Sequence, residues 1–163
     1  MLKDNNIQRI IKLINKIEDS LVVLFLVSIL SIAVVQIILR NFFDGGLIWG
    51  DSLISILVLW LGLSSAIVAS RENKNINIDV FSAHVAEKYQ PIIKKSGFLF
   101  AAIICLIISY YSFVFIHSEY LFNEIAFSNV PVWLTESIIP LAFFIMAIRY
   151  FLHLIIYKTD NSK

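Results

Sequence analysis

Charged residues are scarce in this sequence, and their scarcity limits the classes of protein it can belong to. Asp, Glu, Lys and Arg together make up 15% of the 163 residues, whereas 59% are hydrophobic. A soluble globular domain has about 25% charged and about 45–50% apolar residues. So large an apolar excess is difficult to bury in one small water-soluble core. The composition therefore indicates a protein whose solvent is lipid.

Cysteine is nearly absent, and so are the motifs of the common catalytic sites. The single cysteine, Cys105, lies in an apolar run and has no second cysteine for an intrachain disulfide. The sequence has no CxxC, HExxH, P-loop or GxSxG pattern. A net charge of +1 offers nothing to a polyanionic partner such as a nucleic acid. We therefore predict no catalytic, cofactor or metal site.

Four long apolar runs are present instead. Each has about 17–25 residues, the length of an α-helix that crosses roughly 30 Å of hydrocarbon. The predicted spans are residues 21–39, 53–69, 97–116 and 132–156. Pro140 lies inside the fourth and is expected to kink it, because proline has no N–H to donate to the preceding turn. The predicted fold class is all-α integral membrane, with a single membrane domain over residues 1–163.

The Lys and Arg residues outside the spans alternate from one side of the membrane to the other. The N-terminal segment, the second loop and the C-terminal tail carry most of them. The first loop has only Arg40, and the third loop has none. Basic residues are retained on the cytoplasmic side of a membrane. The pattern therefore predicts that both termini are cytoplasmic.

Two segments beside the spans show an apolar stripe at helical spacing. Residues 5–19 carry isoleucines on one face and cations on another, and residues 79–90 repeat the pattern after Asp79 as N-cap. Both are predicted to be amphipathic helices that lie in the membrane interface, on the cytoplasmic side. For residues 5–19, a plain extension of the first span is the alternative.

The interiors of the spans contain almost no ionisable residues. A charged side chain at mid-membrane is costly and usually marks a functional site, but Glu136 and Arg149 lie only near the ends of the fourth span. A transporter that works alone is expected to have such a group, or broken helices. A haem-bearing membrane anchor of an oxidoreductase would need two axial ligands close together. His117 and His153 are predicted on opposite sides, whereas His84 and His153 are on the same side and could pair, although both are more simply read as interfacial polar residues. Both functions remain alternatives.

Small residues in the second span suggest close helix packing. Gly62, Ala66 and Ala69 fall on one face, where small side chains let two helices approach closely. This face could pack against another helix of the same chain, or it could form the contact surface (seam) for a partner subunit.

The outer edge of the predicted bundle carries a further group of candidate contacts. Arg40 and Asp51 are expected to lie on this edge and to pair, with little gain in stability because the pair is partly exposed. Trp49 and Trp133 are expected at the outer boundary, where aromatic residues anchor membrane proteins. Membrane anchoring and docking of a partner are the two interpretations of these tryptophans.

Several short motifs occur in an order that resembles the small membrane (Q) subunit of tripartite ATP-independent periplasmic (TRAP) transporters. The resemblance runs from the first span nearly to the C-terminus. The motifs are Arg40 at the close of the first span, WGD at 49–51, VLWLG at 58–62, INID at 76–79, VPVW at 130–133, IPL at 139–141 and MAIR at 146–149. Three positions depart from the family pattern: Asp51 replaces Glu, Ser52 stands where a second acid is usual, and Asn75 stands where His is usual.

The resemblance implies a role in transport without chemistry of its own. The small subunit of this family accompanies a large multi-span subunit, which carries the sodium sites and moves the substrate by an elevator-like motion. A periplasmic substrate-binding protein delivers organic anions such as C4-dicarboxylates, sialic acids or similar carboxylates. By resemblance, this chain is expected to be a non-catalytic scaffold subunit in the bacterial inner membrane, surrounded by lipid. Interfacial helices would suit a scaffold that must not shift across the bilayer.

Overall fold

The computed structural model describes residues 2–43, 45–71 and 90–160, and within them the chain is almost entirely helical. The helices are α1 (Leu2–Phe42), α2 (Gly50–Arg71), α3 (Gln90–Phe122), α4 (Val132–Glu136) and α5 (Ile138–Asp160). Four regions of the described chain are long and apolar enough to cross a membrane: Ile11–Phe42, Gly50–Arg71, Lys95–Phe122 and Val132–Ile155. The predicted fold class, with its four spans, is confirmed. The predicted helix 79–90 lies, except for its last residue, outside the described residues.

Helix α1 joins two segments that the sequence analysis separates. It runs without interruption for 41 residues, about 60 Å at the rise of an α-helix. No Gly or Pro occurs between Leu2 and Phe42, so nothing in the backbone breaks the helix. Residues 5–19 are thus the first turns of α1 and not a helix of their own. Their place in the membrane interface stays a prediction.

The fourth span is interrupted, but one turn earlier than expected. The α4 helix ends at Glu136, and α5 begins at Ile138 after the single residue Ser137. Pro140 cannot donate a hydrogen bond to the carbonyl of Glu136, and its ring crowds that carbonyl. The interruption therefore falls where the proline removes the bond, and Pro140 itself sits in the first turn of α5, where proline is tolerated.

A small hairpin, which was not predicted, connects the third and fourth spans. Strand β1 (Ile125–Phe127) pairs antiparallel with β2 (Val130–Pro131). The two turn residues, Ser128 and Asn129, have φ of 38° and 72°. Positive φ at both central residues is the signature of a type I′ turn, which matches the twist of a hairpin. The hairpin positions the start of the fourth span.

The helices contact one another in the order α1, α2, α5, α3. The core lies between α2, α3 and α5 and consists of Ile67, Cys105, Ala142, Met146 and Ala147. Less than a fifth of each span is buried within the chain. Most of the apolar side chains therefore face lipid or another protein.

Candidate functional site: polar clusters at the two ends of the bundle

A buried amide holds the link between α1 and α2. Gln36 is 4% exposed. Its Nε2 donates to the backbone oxygen of Leu47 at 3.3 Å and to Asp51 Oδ1 at 3.1 Å. The backbone nitrogen of Leu47 donates to Gln36 Oε1 at 2.9 Å. Both the nitrogen and the oxygen of this buried side-chain amide therefore have hydrogen-bond partners, as buried polar groups require. We refer to Gln36 and these partners as the Gln36 clasp.

The clasp requires a glycine at the start of α2. A Cβ on Gly50 would lie 2.5 Å from Gln36 Nε2. The amide is the flexible end of a side chain, but its three hydrogen bonds hold it in place. The close approach of the α2 backbone to Gln36 therefore depends on the missing side chain.

The predicted pairing of Arg40 with Asp51 is present in the structure. Arg40 Nη2 lies 2.6 Å from Asp51 Oδ2, and the two side chains are 59% and 69% exposed. A pair so open to its surroundings contributes little to stability. Asp51 also lies in the first turn of α2, where a negative charge is favoured by the helix dipole. The pair therefore presents a charged, accessible edge beside the buried clasp.

A second polar cluster ties α1, α2 and α5 together at the other end of the bundle. Arg149 on α5 pairs with Glu18 on α1 and donates to the backbone oxygen of Ile67 on α2. Arg71, at the end of α2, lies 3.0 Å from Asp19 and 3.8 Å from Glu18. We name Glu18, Asp19, Arg71 and Arg149 the Arg149 network.

The centre of the Arg149 network is well shielded. The side chains of Arg149, Glu18 and Arg71 are only 16%, 15% and 22% exposed, whereas Asp19 is 53% exposed. Two acids balance two arginines, so the network is neutral as a whole. The network thus brings charge close to the membrane interior without leaving any of it uncompensated.

Trp60 connects α2 to the interrupted fourth span. Its Nε1 donates to the backbone oxygen of Thr135 at 2.8 Å, beside the interruption at Ser137. The same indole meets Phe25 of α1 edge-on, with ring centroids 5.8 Å apart. Ser109 of α3 donates to the backbone oxygen of Pro140 at 3.1 Å. Neighbouring helices therefore bind the carbonyls on both sides of the interruption.

The two tryptophans proposed for the outer boundary differ in their surroundings. Trp133 packs edge-on against Tyr120, with centroids 5.7 Å apart. Trp49 stands at the start of α2 and is 39% exposed. Trp133 is thus engaged within the chain, whereas Trp49 remains accessible to lipid or protein.

The small-residue face of α2 divides into two parts. Ala66 packs against the core, and Ala69 is half-buried. Gly62 is exposed, and nothing lies within 4 Å of the position its Cβ would take. Packing within the chain accounts for Ala66 but not for Gly62. Gly62 therefore remains a candidate contact with a partner.

The histidines do not form a haem site within the described residues. His153 stacks on Phe98 of α3, with centroids 5.8 Å apart. His117 lies 19 residues further along the same helix, about 28 Å away at the rise of an α-helix. His117 and His153 therefore cannot share one iron. His84 lies outside the described residues.

Sequence reasoning did not identify Gln36, Glu18, Asp19 or Trp60 as organising residues. Gln36 has one signal, an amide inside a span whose other polar residues are two serines. Glu18 and Asp19 have another, an acid pair at the foot of a span with arginines near the ends of two others. Neither signal identifies the residues that these side chains contact, because the partners are distant in sequence and lie on other helices or in a loop.

Comparison with known proteins relates the chain to a transporter family. Residues 29–156 match the family described as "Tripartite ATP-independent periplasmic transporters, DctQ component". The chain is also similar to the sialic acid TRAP transporter permease protein SiaT of Haemophilus influenzae (strain 86-028NP), with 32% identity over 77 residues. That match covers 47% of this chain and 12% of the relative, so the chain spans only a small part of the relative's length.

Proposed function

The chain belongs to the family of DctQ components of TRAP transporters, and we propose that it acts as a fixed, non-catalytic scaffold for a larger membrane subunit. Membership makes it a small multi-pass membrane component of such a transporter, as the order of motifs in its sequence indicates. The scaffold role is the part proposed here, and it concerns what the four spans do within a complex.

One observation carries the scaffold proposal. Six charged groups beside the spans bind one another, four in the Arg149 network at one end and two in the Arg40–Asp51 pair at the other. No Asp, Glu, Lys, Arg or His lies at the middle of a described span. A transporter that works alone is expected to have ionisable groups or a broken helix at mid-membrane, whereas the interruption at Ser137 lies near one end of the fourth span. A chain that uses its charges to fix its helices is suited to holding another subunit in place.

We further propose that the partners are a large multi-span subunit and a periplasmic substrate-binding protein. The relative SiaT supports the first partner, because the matched segment is a small part of a much longer chain there. The apolar surface left open on the spans supports it as well, since less than a fifth of each span is buried. The accessible Trp49 and Arg40–Asp51 edge is a proposed contact for the binding protein.

The proposed transport is sodium-driven uptake of an organic anion. The family and the sialic acid permease among the relatives support a carboxylate substrate, such as a C4-dicarboxylate, a sialic acid or a similar compound. The substrate itself is expected to bind the partner chains, because no charged residue stands at mid-membrane in the described spans to receive it.

Reconstitution with one component omitted tests this proposal. The chain, a large TRAP subunit and a periplasmic binding protein from the same host are reconstituted in liposomes with an inward sodium gradient, and uptake of labelled succinate and sialic acid is measured. The proposal predicts uptake only when all three are present and the sodium gradient is maintained. Uptake by the chain alone would contradict the scaffold role. A Soret band in the absorption spectrum of the purified chain would instead support the haem-bearing alternative.

A further inference from the structure

A groove of about 500 Å³ lies between α1 and α5, at the end of the bundle that carries the Arg149 network. Its walls are mostly apolar, with Ile14 from α1 and Ile145 and Ile148 from α5. These side chains are 47%, 37% and 44% exposed, so the described part of the chain leaves them open. The apolar walls require a cover that is itself apolar.

The polar residues in the groove give it a basic end. Arg71, Arg149 and His153 line it, and no carboxylate of the described residues does. The acids that pair with the two arginines, Glu18 and Asp19, lie outside the lining. A guanidinium has five N–H donors, more than the two hydrogen bonds Arg71 makes to described residues. Glu18 and Asp19 neutralise the charge of the two arginines, but Arg71 keeps N–H donors that can bind the phosphate oxygens of a lipid headgroup.

Apolar walls and a basic end together are complementary to an amphiphilic anion. Free phosphate would gain nothing from isoleucine walls. An apolar helix of another protein in this groove would bury the two guanidinium groups against hydrocarbon without hydrogen bonds, and their desolvation would be costly. Basic pockets between transmembrane helices bind anionic lipid headgroups. A phospholipid satisfies both parts of the groove.

We propose that an anionic membrane phospholipid binds between α1 and α5, with its phosphate beside Arg71 and an acyl chain between Ile14 and Ile148. The lipid fills space that protein side chains leave open beside the Arg149 network, and it bridges α1 and α5. This inference does not depend on the transport proposal, since it concerns only the described residues of this chain.

Native mass spectrometry of the full chain, purified in mild detergent with its co-purifying proteins, tests the lipid site. Phosphatidylglycerol is expected to be retained at one molecule per chain, about ten-fold more tightly than phosphatidylcholine with the same acyl chains. Inorganic phosphate is not expected to displace it. Absence of an adduct, equal retention of the two lipids, or displacement by inorganic phosphate would overturn the proposal.

Groove-filling variants locate the site. Ile148→Trp places an indole where the acyl chain is proposed and is expected to reduce retention about ten-fold through the apolar contact that is lost. Ile107→Trp makes the same change on α3, at a residue that is 51% exposed, and is expected to retain the lipid. Equal retention by these two variants would contradict the location. Ile14→Trp replaces Ile148→Trp if the latter does not elute as a folded species.

A measurement on the unsubstituted chain provides an independent check. Phosphatidylglycerol with a photoreactive acyl chain is expected to label α1 near Ile14 and α5 near Ile148. Labelling confined to α3 would refute the site, and so would covalent capture showing another protein seated in the groove.

Discussion

Gln36 and Gly50 depend on each other across the link between α1 and α2. Replacing Gly50 by Ala would bring a Cβ within 2.5 Å of Gln36 Nε2 and displace an amide held by three hydrogen bonds. We predict that Gly50→Ala lowers the free energy of unfolding by about 1–3 kcal/mol. Thermal unfolding of the purified protein in detergent measures the effect.

Gly62 provides the matched control for this prediction. Nothing lies within 4 Å of the position its Cβ would take. Gly62→Ala should therefore leave the stability unchanged or raise it by up to about 1 kcal/mol, because Ala loses less backbone entropy in a helix. If both alanine variants unfold at the same temperature, the Gln36 clasp does not require a glycine at position 50.

Gly62 also makes a prediction about a partner. The Cβ position of Gly62 is open and the residue is exposed, so Gly62→Leu, like Gly62→Ala, should leave the stability of the chain alone unchanged or raise it slightly. If the open face of α2 is a seam for the large subunit, the same variant should lower the yield of the complex on co-purification, since a seam of small residues allows close approach. Unchanged yield would indicate that Gly62 faces lipid.

At the scale of elements, the Arg149 network joins α1 to α2 and α5 at one end of the bundle. Glu18 is 15% exposed and pairs with Arg149, whose side chain is 16% exposed. Glu18→Gln removes one partner and leaves the other charge without compensation. We predict a loss of about 3 kcal/mol in the free energy of unfolding, measured by thermal unfolding and by protease sensitivity in membranes.

Asp19 serves as the control for Glu18, since it belongs to the same network but is 53% exposed. The Asp19→Asn variant should lose no more than about 1 kcal/mol, because an exposed pair is weak. A loss as large as that of Glu18→Gln would show that burial does not determine the contribution of each acid.

The interruption of the fourth span makes a prediction for Pro140. Pro140→Ala restores an N–H that can donate to the carbonyl of Glu136, so α4 and α5 should join and the amides around Ser137 should exchange more slowly with solvent deuterium. Pro131→Ala is the control, because Pro131 is the N-cap residue of α4 and interrupts no helix. Unchanged exchange around Ser137 in Pro140→Ala would assign the interruption to another cause.

The elements differ in how far the sequence predicts them. The spans are predictable because burial in lipid requires a long apolar run, which shows in the sequence without knowledge of its neighbours. The interruption at Ser137 follows from Pro140, because the hydrogen bond that proline cannot donate is the one to the carbonyl of Glu136, four residues earlier. The continuity of α1 is harder to predict, because charged residues such as Glu18 and Asp19 usually mark the end of a span. Their partners on other helices are not visible in the sequence.

The polar clusters are not predictable in the same way. Arg149 and Glu18 are 131 residues apart in sequence, and only the packing of α1 and α5 against α2 brings them together. Gln36 binds the backbone of Leu47. Every residue has the same backbone groups, so the sequence cannot identify a backbone partner. The Arg40–Asp51 pair could be predicted because both residues flank one short loop. Whether residues 5–19 lie in the membrane interface remains a prediction.

At the scale of the whole molecule, the orientation of the bundle is a further prediction. The predicted cytoplasmic segments carry most of the Lys and Arg residues, and the Arg149 network lies at the same end. Reporter fusions should show that a C-terminal alkaline phosphatase is inactive and that a C-terminal green fluorescent protein is bright. An active phosphatase at the C-terminus would reverse the orientation, and the proposed lipid would then belong to the outer leaflet.

The central claim is that the four spans hold another subunit in place and transport nothing alone. The most direct test is to tag the chain in its own host, extract the membranes with mild detergent and identify what co-purifies at constant ratio through size exclusion. We predict a stable complex with one larger multi-span protein. A chain that elutes alone, and that moves substrate when placed alone in liposomes, would contradict the account.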